Sequence, residues 1–530
     1  MLRGLRSPYF FACARRTNHE IVAIALKNSH PINETATSLR FGLAAAALVL
    51  ALFSARAAAQ LPEPVRAALQ VAGLSETAMG IVVERVSDQR KVMSHQAERS
   101  FQPASTMKLL TSAVALERLG ATHRGRSELR SSGVVTNGFL QGDLVLRGSA
   151  DTDLNVEAFR GMLLTLRQLG IGEIAGDFLL DRSFFSPPRM DIGVPAFDES
   201  PEFQYNVIPD AISINQHLLA LTIDSTAPDI QVRAKTTLDG VTLASALTMI
   251  DAPCRDWDEY WKSPVVAQLS EGAVRITLRG QYPKNCVTTT EINVLDRTDY
   301  EARLFRSLWR ELGGRFSGNV REGNARDAGN LLAEHRSRAL PDSVRVINKS
   351  SDNPLTRSMY LTLGALNNFG DSLANTAVGS ERVVRTWLRE KGVNDAGLVL
   401  ENGSGLSRAE RVTPRLLSEL LRTMSSSNLA PEFMASLPIV GIDGSMRNRL
   451  KESPAAGRAR IKTGSLRNVA AIAGYAYNAD NELFSVVAII NDDNTQQATA
   501  RPVLDALIDW VSRQPEPAPM AWWQRWFRMN

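Results

Sequence analysis

The clearest helical pattern in the first third of the chain follows a short segment of small and polar residues. Apolar residues recur at three- and four-residue spacing over 109–119, which predicts a buried helix. Pro103 and the small residues beside it suit the start of such a helix. The segment Ser105-Thr106-Met107-Lys108 is therefore predicted to form its first turn. On that turn the Ser105 hydroxyl and the Lys108 amine lie three residues apart and share one face.

Strand-like patterns flank this helix. The run 79–86 predicts a strand, and a short strand over 91–93 is expected to pair with it. Beyond residue 126, short β-like runs separated by Gly, Pro and Asp dominate, and one clear helix, 156–169, interrupts them. Residues 127–296 are therefore interpreted as a β-rich insertion.

Helical periodicity returns after the insertion. It predicts helices over 300–312, 353–366, 378–390, 414–424 and 498–511. Thr413 and Pro414 suit the N-cap and first position of the fourth of these helices. Two alternating runs, 469–477 and 483–491, predict a β-hairpin. Pro515, Pro517 and Pro519 then mark a linker to the C-terminal tail.

The formal charge of +4 comes mainly from the N-terminal segment. Residues 1–59 hold seven of the 60 Lys and Arg residues and two of the 56 Asp and Glu residues, so the remainder is close to neutral. A concentrated basic face, as expected of a nucleic-acid-binding protein, is not visible. A nucleic-acid partner is therefore not expected.

The same N-terminal segment has the pattern of a signal peptide. Arg40 precedes the apolar run 41–53, and three alanines ending at Ala59 resemble a cleavage site. The run is too short to span a bilayer comfortably. We expect an exported protein cleaved after Ala59, with an uncleaved N-terminal anchor as the alternative. Residues 1–39 reflect either an upstream start choice or a leader whose role the sequence does not define.

Two of the three cysteines remain after such a cleavage. Cys254 and Cys286 form an even count in an exported chain, which predicts one disulfide; two free buried thiols are the alternative. Neither has the neighbours of a metal site. Metal, phosphate-transfer and dinucleotide signatures are also missing from the sequence, so no metal or cofactor is expected.

Residues 513–530 comprise the proline-rich linker and a C-terminal tail that is rich in tryptophan and arginine. Trp522, Trp523 and Trp526 alternate with Arg525 and Arg528, a pattern that suits contact with a membrane surface. A tail that packs on the protein or stays disordered is the alternative.

Candidate chemistry centres on the predicted helix start. A serine beside a buried lysine is a workable acyl-transfer pair, because a lysine out of water loses its proton more easily. None of the six histidines lies near a plausible nucleophile motif, so a Ser-His-Asp arrangement has little support. Two further segments fit an SxxK serine: Ser351-Asp352-Asn353 before a helix, and Lys462-Thr463-Gly464-Ser465, interpreted as the opening of the strand 469–477.

The order SxxK, SDN and KTG resembles the motif set of the penicillin-binding proteins and serine β-lactamases. About 240 residues separate the first two motifs, which resembles the low-molecular-mass D-alanyl-D-alanine carboxypeptidases/endopeptidases among them. The stretches 143–148, 205–211, 402–408 and 437–445 agree. At Asn402 that family more often has Asp. The resemblance covers about residues 61–512.

That resemblance implies an α/β (α+β) fold: an antiparallel sheet flanked by helices, with a large β-rich insertion. The implied division is a leader over 1–59, a catalytic domain from 60–126 plus 297–512, and the insertion over 127–296. It also implies a periplasmic enzyme that acts on peptidoglycan peptides and is inhibited covalently by β-lactam antibiotics. In this family, insertion residues shape the pocket for the diamino acid; Asp191 is a candidate contact, with an ordinary surface-loop aspartate as the favoured alternative.

The resemblance also implies residue roles. Ser105 would be the nucleophile and Lys108 the general base, its pKa lowered by burial and by Lys462. Ser351 would relay a proton, and Asn353 would hold Lys108 and the substrate amide. Lys462 and Thr463 would bind the terminal carboxylate, beside Gly464. The backbone N–H groups of Ser105 and Ser465 would form the oxyanion hole. The alternatives are a β-lactamase-like hydrolase and a catalytically silent wall-binding protein.

Overall fold

The computed structural model describes residues 61–198, 200–324, 327–367 and 375–515, which fall within one structural unit, residues 59–530. The predicted signal peptide and the tryptophan-rich tail lie outside the described residues. Among the helices that the structure describes, none has both the length and the apolar character needed to cross a membrane.

A five-stranded antiparallel sheet forms the centre of the region that carries the three motifs. Its strands, in spatial order, are Arg460–Leu466, Val469–Tyr477, Leu483–Asn491, Met79–Arg85 and Lys91–His95. The predicted hairpin and the predicted pairing of the first two strands of the chain are confirmed. The KTG segment does not open the strand 469–477, however. It forms its own edge strand, joined to the next by a tight turn in which Asn468 has a positive φ of 68°.

Both faces of this sheet are buried, which explains why its central strands are apolar at nearly every position. Alternate residues face opposite sides: Ala471 and Ala473 join one hydrophobic core, and Ala470 and Ile472 join the other. The second core also holds two helices from the ends of the described chain, Glu63–Ala72 and Gln497–Arg513. The expected antiparallel sheet flanked by helices is confirmed.

The first core contains the helices that carry the site. They are Lys108–Leu119, Leu340–Ser350, Asn353–Leu366, Thr376–Glu390, Pro414–Ser425 and Ala430–Ser436. The Thr413 hydroxyl accepts the N–H of Leu416, which confirms the predicted N-cap. Because residues 108–116 are all buried, the helix that follows Ser105 is fixed on every side.

The region between the SxxK and SDN motifs is built from short strands in four small sheets. One sheet has the order Val320–Glu322, Phe178–Asp181, Leu144–Ser149, Arg126–Ser131 and Asn330–Arg336. A second has the order Arg315–Phe316, Glu173–Ile174, Phe139–Gln141 and Val134–Thr136. The third contains Gln231–Ala234, Leu219–Asp224 and Val287–Ile292, and the fourth Val241–Ile250, Val274–Pro283 and Trp261–Gln268.

Two helices, Val156–Gln168 and Arg297–Glu311, pack with these sheets in a separate hydrophobic core. This core continues past residue 296, where the sequence pattern predicted the end of the insertion. Leu304 and Trp309 of the second helix and Ala333 of a later strand belong to it. The core extends this far because a strand from beyond residue 296, Asn330–Arg336, pairs antiparallel with Arg126–Ser131, a strand at the start of the insertion.

The predicted disulfide between Cys254 and Cys286 is present in the structure. It links a short helical turn, Cys254–Asp256, to the segment just before strand Val287–Ile292. Cys286 is fully buried and contributes to the core of the insertion, so the bridge ties an exposed loop to that core.

A buried ionic network also stabilises this region. The Arg182 guanidinium contacts Asp210 at 2.9 Å and Glu301 at 2.5 Å, and all three side chains are withdrawn from solvent. Arg182→Met removes the positive charge that pairs with the buried carboxylates of Asp210 and Glu301. We expect it to lower the free energy of unfolding by about 3–5 kcal/mol. Denaturant midpoints of the two proteins measure this loss.

The control for that prediction is the exposed pair between Arg160 and Glu311, which are 2.9 Å apart. Water screens this pair, so Arg160→Met is expected to cost at most about 1 kcal/mol. Equal losses of stability in the two variants would contradict a structural role for the buried network.

Candidate active site

Ser105 lies in a short 3-10 turn, Ala104–Met107, that runs directly into the helix beginning at Lys108. The sequence predicted an ordinary first helical turn, whereas Ala104 has a positive φ of 45° and the turn is tighter. Lys108 still follows at the spacing of one turn, and its Nζ donates to Ser105 Oγ at 3.0 Å. The expected serine–lysine pair is therefore formed.

Three groups accept hydrogen bonds from the Lys108 amine. They are Ser105 Oγ at 3.0 Å, Asn353 Oδ1 at 2.6 Å and the Ser404 carbonyl at 2.6 Å. Burial of the amine lowers its pKa to about 7, although the carboxylates of Glu410 and Asp352 raise that pKa. An amine with a pKa near 7 is neutral in a large fraction of molecules at neutral pH. It can then accept a proton from Ser105.

The SDN motif spans the junction of two helices. Ser351 ends the first in the left-handed conformation, with φ 62°, and the Asp352 side chain caps the second by accepting the N–H of Leu355. This junction directs Ser351 towards the edge strand, where Lys462 Nζ donates to Ser351 Oγ at 3.0 Å. Ser105–Lys108 and Ser351–Lys462 are thus two separate hydroxyl–amine pairs.

Lys462 is fully buried, and its pKa is well below the usual value because of that burial and of repulsion from Lys108. The sequence prediction invoked the same repulsion between the two lysines as a cause of the low Lys108 pKa. Arg357 is a further cation that lowers the Lys108 pKa. Repulsion between two neighbouring ammonium groups favours the loss of a proton from the pair.

The rest of the KTG segment passes close to the nucleophile. A Cβ on Gly464 would lie 2.8 Å from the Pro103 carbonyl oxygen and 3.0 Å from the Ser105 nitrogen, so only glycine fits there. The Thr463 hydroxyl is within 2.7 Å of Ser445 Oγ, and the Ser465 hydroxyl donates to Gln497 at 2.8 Å.

A loop, residues 401–405, closes the side of the site behind Lys108. The Asn402 side chain accepts the backbone N–H of Ser404 at 3.0 Å and its hydroxyl at 2.7 Å. The residue that departs from the family pattern therefore shapes the turn that presents the Ser404 carbonyl to Lys108. The buried Glu410 carboxylate accepts backbone N–H groups of the same loop.

An open cleft of about 840 Å³ lies over Ser105, Ser351, Asn353 and Ser465. The insertion contributes one wall of it, through Phe197, Asp198 and Tyr205. Asp198 accepts the Tyr205 hydroxyl at 2.6 Å, which holds the carboxylate in place.

Asp191, the insertion residue considered as a possible substrate contact, lines a neighbouring cavity of about 700 Å³. Its carboxylate is paired with Arg189 at 2.8 Å and with Arg297 at 3.3 Å. These cations hold its pKa low, at about 2.

Sequence reasoning missed Asp198 and Glu410. Their only local signal is an acidic residue in a polar stretch, which is typical of an exposed loop. Within the described ranges, no three His, Cys, Asp or Glu side chains are grouped as a metal site requires.

The fold and this arrangement of two serine–lysine pairs define the class that comprises the penicillin-binding proteins and the serine β-lactamases. The crystal structure of penicillin-binding protein 4 (dacB) from Haemophilus influenzae matches with a TM-score of 0.71 and 23% identity. The match covers 86% of this chain and all of that one.

The chain belongs to the D-Ala-D-Ala carboxypeptidase 3 (S13) family, whose model matches residues 61–514. It is 27% identical over 425 residues to the D-alanyl-D-alanine carboxypeptidase DacB of Haemophilus influenzae, covering 79% of this chain and 86% of the relative. It is 28% identical over 477 residues to a D-alanyl-D-alanine carboxypeptidase of Actinomadura sp. strain R39, covering 87% of each.

Proposed function

We propose that this protein is a serine-type D-Ala-D-Ala carboxypeptidase and D,D-endopeptidase that acts on peptidoglycan stem peptides through an acyl-enzyme on Ser105. The observation that carries this proposal is the 3.0 Å contact between Ser105 Oγ and the buried Lys108 amine. Family membership agrees with it.

In the first step, neutral Lys108 accepts the Ser105 proton while Oγ attacks the carbonyl carbon between two D-alanines. The backbone N–H groups of Ser105 and Ser465 stabilise the oxyanion, at about 3 kcal/mol for each donor. Ser351 relays a proton to the leaving amine, and the C–N bond breaks. Asn353 holds Lys108 and the substrate amide. Water then attacks the ester and restores the Ser105 hydroxyl.

Lys462 and Thr463 bind the terminal carboxylate of the substrate. A bound carboxylate favours the charged form of Lys462 and so offsets the effect of burial on its pKa. A β-lactam presents a comparable acid group beside a strained amide. It acylates Ser105 in the same way, but its amine stays tethered to the acyl group.

The Asp198 carboxylate favours substrates that carry an amine. A diamino acid in the stem peptide has such a side chain. In a cross-link this amine forms an amide bond with a D-alanine, and cleavage of the cross-link releases it. We propose that Asp198, rather than Asp191, is the insertion residue that contacts it.

Asp198→Asn is expected to lower kcat/KM for amine-bearing peptides by about 10-fold or more, because it removes a charge-assisted hydrogen bond. Acylation by penicillin, which lacks that amine, should change little. Kinetics with matched peptides that carry either a free or an acetylated amine measure the difference. Asp191→Asn is the control variant, and an equal effect of both variants on the two peptides would contradict the assignment.

Mass spectrometry of cross-linked muropeptides after incubation with the enzyme tests the proposed reaction. Loss of a terminal alanine demonstrates carboxypeptidase activity, and splitting of dimers demonstrates endopeptidase activity. Stable labelling by a fluorescent penicillin is expected; rapid release of the hydrolysed drug would identify a β-lactamase instead. Unchanged muropeptides together with no labelling would indicate a silent wall-binding protein.

This function requires export. The signal peptide with cleavage after Ala59, the periplasmic location and the contact of the C-terminal tryptophan tail with a membrane surface are parts of the same proposal.

A further inference from the structure

Glu410 organises the loop behind Lys108 from within. Its Oε1 accepts the N–H groups of Glu401, Asn402 and Gly403, the last at 2.7 Å, and its Oε2 accepts that of Gly405 at 2.7 Å. The intervening residue, Ser404, directs its carbonyl oxygen to Lys108 Nζ. Glu410 is fully buried; burial raises the pKa of its carboxyl group and the four N–H groups lower it, and the ionised carboxylate acts on Lys108 with little screening by water.

Arg357 carries a charge opposite to that of Glu410 and lies on a different element, a helix. It lies four residues after Asn353 on the helix Asn353–Leu366, so the two side chains share a face of that helix. Asn353 Oδ1 accepts a hydrogen bond from the same Lys108 amine. Arg357 Nη1 donates to the Val207 carbonyl at 3.1 Å, which anchors the guanidinium where the helix meets the segment that precedes strand Leu219–Asp224.

We propose that Glu410 and Arg357 are positioning residues that control, in opposite directions, the pH at which Lys108 becomes a base. This inference rests on the proposed function, because it needs Lys108 to accept the Ser105 proton. Neither residue touches the reacting atoms: Glu410 acts through the Ser404 loop and its negative charge, and Arg357 acts through its positive charge.

Two other titratable groups face Lys108. Asp352 has the same sign as Glu410 and raises the Lys108 pKa, whereas Lys462, which donates to Ser351, is the lysine whose own pKa Lys108 lowers. Around Glu410 itself lie Lys108, Arg357 and the Tyr360 hydroxyl. Glu410 and Arg357 therefore act on a pKa that burial has already brought to about 7.

The test is the rate of acylation by a fluorescent penicillin, measured from about pH 5 to pH 10. The rate is proportional to the fraction of molecules in which Lys108 is neutral, so it rises as the pH increases past the pKa of Lys108. Glu410→Gln removes a negative charge that favours protonated Lys108, so the rise is expected at a pH lower by about one unit. Arg357→Gln removes a positive charge that opposes protonation, so the rise is expected at a higher pH by a similar amount.

Two further variants serve as controls. Arg357→Lys keeps the charge and is expected to restore the wild-type profile, and the double variant Glu410→Gln/Arg357→Gln is expected to return towards it. A purely structural role would lower the plateau rate without moving the rise. Profiles that do not move, or that move in the same direction, would overturn the proposal.

The outcomes also separate this inference from the proposed function. If the wild-type protein is not acylated at any pH, the proposed function fails. If it is acylated with a normal rise that neither variant displaces, only the electrostatic inference fails. Where Glu410→Gln gives no cooperative thermal transition, the comparison of Arg357→Gln with Arg357→Lys decides: equal profiles in these two variants overturn the proposal.

Discussion

Ser105→Ala is expected to abolish labelling by fluorescent penicillin and to lower peptide hydrolysis by about 10⁴-fold or more. The substitution removes the atom that forms the acyl-enzyme in the proposed mechanism, Oγ, which lies 3.0 Å from the Lys108 amine. Packing changes little, because serine and alanine differ by one oxygen atom and Ser105 borders an open cleft. The variant should therefore unfold at nearly the wild-type denaturant concentration.

Ser100→Ala provides a matched control five residues earlier. Its hydroxyl is exposed and donates only to the Gly397 carbonyl, at 2.9 Å, so the loss of that hydroxyl should leave labelling intact. Mass spectrometry of the labelled peptide adds an independent measurement, since the drug should be found on the peptide that contains Ser105. Labelling retained in Ser105→Ala would place the nucleophile elsewhere and refute the mechanism.

The pairing of Ser105 with Lys108 could be predicted from the sequence because the two residues form one local motif, whereas the pairing of Ser351 with Lys462, 111 residues apart, was not predicted. Ser105 and Lys108 are one turn apart, and a helix-capping aspartate, Asp352, fixes the motif that contains Ser351. The hairpin of the central sheet was equally visible, because both its strands are apolar runs of suitable length. The KTG strand was not separated from this hairpin, because its turn is Arg467-Asn468 rather than the Asn-Gly pair that marks such turns.

The electrostatic environment of Lys108 could not be predicted in the same way. Glu410 lies in a polar stretch, Ser407 to Arg411, that has the composition of a surface loop. It becomes buried because four backbone N–H groups of the preceding turn, residues 401–405, converge on its carboxylate, and the polar composition of the stretch gives no sign of that convergence. The same holds for Asp198: its place in the cleft depends on how the insertion packs beside the SDN helix, a long-range contact without a periodic signature.

Gly405→Ala is expected to lower the rate of acylation by about 100-fold or more, although residue 405 takes no part in the chemistry. A Cβ at this position would lie 1.7 Å from the Ala104 carbonyl oxygen and 3.0 Å from the Ser105 nitrogen. Both neighbours are backbone atoms, so the peptide segment that holds Ser105 has to move. A displacement of about 1 Å between a nucleophile and its base costs a factor of this size. Stopped-flow acylation by penicillin measures the loss.

Gly73→Ala separates this collision from the cost of backbone strain alone. Gly73 has a positive φ of 67°, close to the 79° of Gly405, but no atom lies within 4 Å of its Cβ position. It is expected to lower the free energy of unfolding by about 1 kcal/mol and to leave acylation unchanged. A normal acylation rate in Gly405→Ala would show that the Ala104–Ser105 segment adapts without losing its alignment to Lys108. In that case, the close approach of this loop does not position the nucleophile.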